Sequence, residues 1–188
     1  MKLNNLIKNQ LKEFENIIEL DLIKHQFEID CANMPRFENF DFWKRKEGFF
    51  GTLFTKLDTL SGPCIYWFEF ETSELTHEIK EVTNKFREKK KEHGRTIPAK
   101  NKNFDSKYLY VGIRQGGTRK DGFSNIAGRI FHHLGYYTKG STQGLQLVHW
   151  SKHMIKLSII ELPKKGKPYL NIIEKIYANS LKPILGKH

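Results

Sequence analysis

The chain has 188 residues, of which 38% are hydrophobic, 28% charged and 13% aromatic, and its net charge is +11. This composition is typical of one globular domain, with or without an extension, and it excludes a wholly disordered or collagen-like chain. No run reaches the roughly 20 apolar residues of a membrane span, and the amino end lacks the apolar stretch of a secretory signal. We therefore expect a soluble, cytoplasmic protein with no membrane partner.

The positive charge is concentrated in the second part of the chain. The first 81 residues carry a net charge of −5, and the remaining 107 carry +16. Such a one-sided excess is typical of a surface that binds a polyanion, and nucleic acid is the leading partner. The alternative is a basic face that is only solvated.

The first 60 residues are predicted to form a helical and aromatic extension. Apolar residues recur at helical spacing over residues 3–20, which indicates an amphipathic helix. The Phe-rich segment 26–50 contains Pro35 and Gly48 and is predicted to be irregular, packing its aromatic rings on the domain that follows. A second helix is expected at 50–60, where Ser61-Gly62-Pro63 would end it.

Residues 61–188 are predicted to alternate between strands and helices. The patterns indicate a strand at 64–70, a helix at 73–93, a strand at 107–113, a helix after Ser124, a strand at 154–162 and a helix at 168–180. Ser124 is of the residue type that caps helix N-termini. Two loops, residues 94–106 and 115–122, are basic, and the second is also rich in glycine.

Arg129 and His133 are the first candidates for chemistry. They lie four residues apart on a predicted helix, so their side chains project from the same face. A guanidinium stabilises charge on phosphoryl oxygens, and an imidazole transfers protons near neutral pH, so the pair suits a phosphodiester. The alternative is two unrelated surface residues.

Glu174 is the second candidate, because its predicted helical neighbours Leu170, Tyr177 and Ala178 are mostly apolar. A carboxylate in such a stripe is unfavourable unless it pairs, becomes protonated or binds a cation. Only Glu161 and Glu174 are acidic after residue 122, so a hard metal such as Mg²⁺ would keep several water ligands. The alternative is a Glu that extends to solvent or pairs with a Lys.

Tyr66 and Tyr110 each lie inside an apolar predicted strand, where packing in the core is the default interpretation. Gly112 follows Tyr110 by two residues and permits close approach of a ligand or a neighbouring element. Taken in order, Cys64-Ile65-Tyr66, Tyr110-Val111-Gly112, Arg129 with His133, Glu174 and Pro183 resemble the motifs of the GIY-YIG nucleases.

The resemblance covers roughly residues 62–188 and implies an α/β (α+β) fold: a small central antiparallel sheet flanked by helices. The expected division is a helical extension at 1–60 and a nuclease domain at 61–188, with a helical insertion at 73–106 between the first two motif strands. Four features depart from the family pattern. Cys64 replaces the first glycine, the motif tyrosines are 44 residues apart, and no Asn follows Pro183 closely. The segment from Gly112 to Arg129 is also longer than usual because of its glycine-rich basic loop, which resembles the restriction-enzyme members of the family.

The activity that the resemblance implies is Mg²⁺-dependent hydrolysis of phosphodiesters in double-stranded DNA, with Mn²⁺ as a substitute ion. Glu174 would hold the metal, and Arg129 would bind the scissile phosphate. Tyr66 would position or deprotonate the attacking water, with His133 accepting the proton behind it. Tyr110 would orient the water or a phosphate oxygen.

Basic residues would bind the flanking phosphates of the DNA. The expected contacts are Lys89, Lys90, Lys91, Arg114, Arg119 and Lys120. A restriction-type endonuclease is the leading role, and repair, mobile-element or phage nucleases share its chemistry. From another class, a DNA-binding module that has lost cleavage is the alternative. A third possibility is action on structured RNA, and the oligomeric state, including a homodimer, stays open.

Overall fold

The computed structural model describes residues 3–103, 105–137 and 143–187. Within these ranges the chain forms six helices and four strands, joined by loops and short 3₁₀ turns. In chain order the elements are α1 (Leu3–Ile18), β1 (Lys24–Asp30), α2 (Gly51–Leu57), β2 (Cys64–Glu69), α3 (Thr76–Glu88), α4 (Lys90–His93), β3 (Tyr108–Arg114), α5 (Asn125–Leu134), β4 (Met154–Glu161) and α6 (Leu170–Leu181). The predicted class, a small antiparallel sheet flanked by helices, is confirmed. Of the helices described, none has the length and apolar character needed to cross a membrane.

The four strands form one antiparallel sheet in the order β1-β4-β2-β3. Every residue of β2 is buried, which explains why its first five residues are all apolar or aromatic. The buried residue at its end, Glu69, pairs with Lys107 at 3.4 Å. Tyr66 of β2 lies opposite Gly112 of β3 and Ile159 of β4. The two motif strands are therefore direct neighbours, although the insertion separates them in sequence.

The interpretation of residues 26–50 as irregular is wrong at their start, because residues 24–30 form β1. This strand pairs with β4 along its whole length, from Lys24 opposite Ile160 to Asp30 opposite Met154. Its exposed residues alternate with more buried ones such as Ile29, which is 2% exposed. The amino-terminal extension therefore contributes a strand to the sheet, in addition to its helices.

Each face of the sheet carries its own hydrophobic cluster. On one face, Tyr66, Phe68 and Leu109 pack with residues of α2 and α5 and with aromatic rings of the amino-terminal segment. On the other face, Ile65, Trp67 and Val111 pack with residues of α1 and α6. Alternate residues of β2 thus serve the two faces, as expected for a central strand.

Helix α5 has defined ends that fix the positions of its side chains. The Ser124 hydroxyl accepts a hydrogen bond from the backbone N–H of Ala127 at 3.1 Å, which confirms the predicted cap. Gly135 ends the helix in the left-handed region, with φ of 100°. The insertion has a similar end, because α4 stops at Gly94 with φ of 67°, where the sequence predicted that the helix would end. The prediction of one continuous helix at 73–93 is wrong, because the helix is interrupted at Lys89 between α3 and α4.

The outer edge of β3 is covered by residues that follow α6. The backbone N–H of Ile184 donates to the carbonyl oxygen of Tyr108 at 2.9 Å, and that of Leu185 donates to Leu109 at 3.0 Å. Leu185 also forms an isolated bridge with Lys100 of the insertion. The insertion and the carboxyl-terminal segment therefore meet beside the strand that carries Tyr110.

Candidate active site

Four of the predicted site residues form one hydrogen-bonded network at the junction of β2, β3 and α5. The Tyr66 hydroxyl lies 2.9 Å from Nε2 of His133 and receives a hydrogen bond from Nε of Arg129 at 3.2 Å. Nη2 of Arg129 donates to the Tyr110 hydroxyl at 3.4 Å. Residues from two strands and one helix, spread over 67 positions of sequence, thus come together in the structure.

Gly112 makes the network sterically feasible. A Cβ atom at this position would lie 2.6 Å from the Tyr66 hydroxyl oxygen and 2.7 Å from Cε1 of Tyr110. Both distances are far shorter than normal van der Waals contacts, so any larger residue would displace the two rings. The glycine is therefore required for the close approach of the tyrosine side chains, one of the alternatives that the sequence left open.

His133 is fully buried, and its hydrogen bonds determine which ring nitrogen carries the proton. Its Nδ1 accepts a hydrogen bond from the backbone N–H of Leu145 at 3.2 Å. Burial, followed by the charge of Arg129, holds the pKa of His133 well below its usual value, so the ring is neutral. A neutral imidazole that accepts at Nδ1 has its proton on Nε2, so His133 donates to Tyr66. The sequence-based expectation had the proton moving in the opposite direction.

Tyr66 is also fully buried, with 0% of its surface exposed. Burial raises the pKa of Tyr66, and the nearby Arg129 charge only partly opposes this shift. The phenol therefore stays protonated at neutral pH, and its oxygen accepts from Arg129 and His133. In this arrangement, Tyr66 orients Arg129 and is shielded from solvent, which does not favour a role as the base that deprotonates water.

Arg129 is partly buried and remains positively charged. Burial works against the charge, but the Tyr66 and Tyr110 oxygens outweigh it and raise the pKa of Arg129. Its Nη1 donates to the carbonyl oxygen of Gln143 at 2.9 Å. Its partners are thus hydroxyl and carbonyl oxygens, and no carboxylate among the described residues pairs with it. An anionic ligand would supply the negative charge that these neutral partners lack.

Glu174 lies on α6 and is half-buried. Burial raises the pKa of Glu174, while the Arg129 charge lowers it, which places the carboxyl within the electrostatic reach of the network. No hydrogen bond or ion pair joins Glu174 to another described residue. Residues 3–103, 105–137 and 143–187 contain no cluster of three or more His, Cys, Asp or Glu side chains suited to a metal. A metal held here would have Glu174 as its main protein ligand, which fits an ion that retains water, such as Mg²⁺.

The predicted DNA-binding residues fall into two groups. Arg114 and Arg119 lie close enough to α5 for their charges to act on its histidines and, for Arg114, on Arg129. Lys120 is exposed in the same glycine-rich loop. Lys89, Lys90 and Lys91 are exposed at the junction of α3 and α4, and no hydrogen bond or ion pair between described residues joins them to the network.

Three contributors were missed in the sequence. The carbonyl of Gln143 and the N–H of Leu145 are backbone groups of a loop, and no side-chain pattern reveals them. The third is His132, which is 6% exposed and close to the same arginines. Because it is the neighbour of His133 on the same helix, the sequence could have indicated that His132 lies close to the site.

Comparison with known proteins finds no match among family models, curated proteins or solved structures. The chemistry of the site consists of a guanidinium without a carboxylate partner, two phenols, a neutral imidazole and a half-buried carboxyl. This set is suited to binding an oxyanion and, with a cation on Glu174, to polarising it.

Proposed function

We propose that this protein is a metal-dependent DNA endonuclease of the GIY-YIG type. The observation that carries the proposal is the hydrogen-bonded set of Tyr66, Tyr110, Arg129 and His133, with Arg129 lacking a carboxylate partner. All four residues belong to the ordered motifs that the sequence shares with the family. Packing for stability alone does not explain this arrangement. A buried His donates to a Tyr, and the Arg bonded to the same Tyr has no carboxylate partner among the described residues.

In the proposed reaction, Arg129 binds the scissile phosphate and stabilises the negative charge that develops on its oxygens. The Tyr66 oxygen holds Nε of Arg129, and His133 holds Tyr66, so the guanidinium is oriented before the substrate binds. Removal of one such preorganised donor typically lowers the catalytic rate by a factor on the order of 10²–10³. His133 and Tyr66 are thus positioning residues for Arg129.

Glu174 would hold one Mg²⁺, or Mn²⁺ in its place. When bound, such an ion supplies Lewis-acid stabilisation of the negative charge that forms on the leaving 3′ oxygen. The raised pKa of Glu174 makes its carboxyl readier to take a cation partner than an exposed one, because its charged form is poorly solvated. Tyr110 is partly exposed, and its hydroxyl is the phenol that orients the attacking water or a phosphate oxygen.

The basic side chains around this site would bind the remainder of the DNA. Arg114 is exposed at the end of β3 and has no ion pair with a described residue. Its charge acts on Arg129, so a phosphate placed between them would relieve the repulsion between the two guanidiniums. A restriction role is the leading biological assignment, whereas repair, mobile-element and phage nucleases would use the same residues.

A DNA-binding module without cleavage is the second candidate. Two observations favour it: Cys64 stands where the motif has glycine, and the Tyr66 hydroxyl is inaccessible to water. Such a protein would keep Arg129 as a phosphate-binding residue. It would bind duplex DNA in EDTA and with Mg²⁺ to the same extent and leave it intact.

Incubation of supercoiled plasmid with the purified protein separates the two candidates. The nuclease should produce nicked or linear plasmid with Mg²⁺ and none with EDTA. Arg129→Ala protein purified in the same way is the control for contaminating nucleases, and it should be nearly inactive. Binding in a gel-shift assay without cleavage of many different DNAs would contradict the nuclease and support the module. Competition with duplex RNA tests whether DNA is the preferred substrate.

A further inference from the structure

The residue that precedes Arg129 in α5 is Gly128, which is buried. The side chain of Arg119 occupies the space beside its Cα. A Cβ on Gly128 would lie 2.6 Å from both Cδ and Nη1 of Arg119. The Arg119 side chain therefore lies directly against the helix backbone. Glycine inside a helix is destabilising relative to alanine. The space it opens is filled by a charged side chain from the glycine-rich loop.

Arg119 is held in this position by its own loop. Its Nη2 forms an ion pair with Asp121 at 2.8 Å, and its side chain is 27% exposed. The backbone N–H of Arg119 donates to the carbonyl of Phe123 at 2.7 Å, and that of Gly122 donates back to Arg119 at 3.1 Å. A tight turn and an ion pair thus direct the guanidinium onto α5.

His132 lies one helical turn beyond Gly128 and three residues beyond Arg129, so it shares their side of the helix. It is 6% exposed, and its ring packs against that of Tyr137 with the centroids 3.8 Å apart and the planes tilted by 34°. Its ring nitrogens form no hydrogen bond with a described residue. Burial, followed by the charges of Arg119, Arg129 and Arg114, lowers the pKa of His132 to about 4, so the ring is neutral.

We propose that Arg119 and His132 form a second phosphate-binding subsite on α5, which takes the DNA backbone phosphate next to the one bound by Arg129. This inference rests on the proposed function. The guanidinium supplies charge, and the neutral imidazole donates one N–H to a phosphate oxygen. His132 is three residues from Arg129, and residues at this spacing on a helix are about 5–6 Å apart at Cβ, so one strand of a ligand with successive anionic groups can contact both positions.

The charge balance of the cluster supports an anionic ligand. The charges of Arg114, Arg119 and Arg129 all reach His132, and so does that of one carboxylate, Asp121. Asp121 pairs with Arg119. Neither of the other two guanidiniums forms an ion pair with a described carboxylate, although the Arg129 charge reaches Glu174. A phosphodiester would bring the missing negative charge and also a hydrogen-bond acceptor for the buried imidazole.

Two measurements test the subsite. The first is a titration of the protein with inorganic phosphate, followed through the ring signals of His132 in NMR spectra. These signals should shift and saturate in the wild type and fail to respond in Arg119→Gln. Lys164→Gln, which removes one exposed positive charge far along the chain, is the matched control and should respond as the wild type does.

The second measurement is the salt dependence of duplex DNA binding in EDTA. Gly128→Ala keeps every charge but displaces Arg119, so its slope of log K against log salt should fall by roughly 0.9, as for Arg119→Gln. Where Gly128→Ala does not fold, Arg119→Gln alone gives the answer.

The two measurements separate this inference from the proposed nuclease activity. A His132 response to phosphate that Arg119→Gln abolishes supports the subsite, even for a protein that cleaves no DNA. Ring signals that ignore phosphate, or that respond equally in Arg119→Gln, would overturn the subsite while leaving the nuclease proposal intact.

Discussion

The Asp58 carboxylate accepts a hydrogen bond from the backbone N–H of Ser124 at 3.1 Å. The amino-terminal segment therefore fixes the position of Ser124, the N-cap residue of α5. The Ser124 hydroxyl in turn donates to the carbonyl of Leu57 at 2.7 Å. Asp58 also pairs with Arg45 at 3.4 Å and with Lys46 at 3.0 Å. The helix that carries Arg129 and His133 is thus positioned by residues outside the expected nuclease domain.

We therefore expect Asp58→Ala to destabilise the protein by about 2–3 kcal/mol. The substitution removes a buried carboxylate and leaves the Arg45 guanidinium and the Ser124 N–H without this acceptor. Urea unfolding measures the change, with Asp21→Ala, which removes an exposed carboxylate, as the control. Equal stability of the two variants would contradict the role assigned to Asp58.

Gly112→Ala should cost about 1–3 kcal/mol, the usual range for overpacking in a core. Because the added methyl would meet the Tyr66 hydroxyl, Tyr66→Phe should recover part of this loss in the double variant. Gly112→Ala combined with Tyr177→Phe, on the other face of the sheet, is the control and should give additive effects. Additivity in both pairs would show that the close approach has no energetic consequence.

Glu174→Gln should keep DNA binding and abolish cleavage. The amide preserves the shape of the side chain but removes the charge that would hold the metal. Gel-shift and plasmid-cleavage assays measure the two properties, and Glu15→Gln, at an exposed site on α1, is the control. Near-normal cleavage by Glu174→Gln protein would exclude Glu174 as the metal ligand.

Changing Lys89, Lys90 and Lys91 to Ala should weaken binding to all DNA sequences alike. Each lost phosphate contact lowers the slope of log K against log salt by roughly 0.9. The matched control replaces Lys164, Lys165 and Lys167 with Ala, which removes the same charge from another exposed segment. If the two triple variants have the same slope, the α3–α4 junction is a solvated helix end.

Stability should fall as the pH drops below about 6.5, the ordinary pKa of histidine. Burial lowers the pKa values of His133 and His132 in the folded state, so the unfolded chain binds more protons in this range. Each such histidine contributes up to about 1.4 kcal/mol per pH unit.

His133→Gln keeps a donor towards Tyr66 and removes one of the two titrations. Urea unfolding between neutral pH and about pH 5 should therefore show a shallower decline than in the wild type. An unchanged pH dependence in His133→Gln would mean that this ring is not held neutral by burial.

Local patterns in the sequence were sufficient for most of the elements. Helical spacing predicted α1, the β-forming run 64–70 predicted β2, and Ser124 predicted the start of α5. Strand β1 was missed because its single fully buried apolar residue, Ile29, gives a weak alternating signal next to a Phe-rich segment. Its partner strand lies about 130 residues further along the chain, and that pairing is a tertiary effect.

The sequence predicted which residues lie near one another better than it predicted their protonation states. The ordered motifs identified Tyr66, Tyr110, Arg129 and His133 as residues that converge. The location of the proton on His133 depends on the Leu145 N–H, which a returning loop places against the ring. The burial that keeps Tyr66 protonated depends likewise on packing from three elements, which spacing along the chain does not encode.

The segment beside β3 has a consequence for how the molecule behaves in concentrated solution. A bare edge strand presents unpaired N–H and C=O groups to any other chain and is a template for aggregation. Here the backbone N–H groups of Ile184 and Leu185 donate to the carbonyl oxygens of Tyr108 and Leu109. Lys100 in turn forms an isolated bridge with Leu185. Proteolysis or truncation after Leu181 would uncover this edge, and the resulting protein should self-associate through the strand that carries Tyr110.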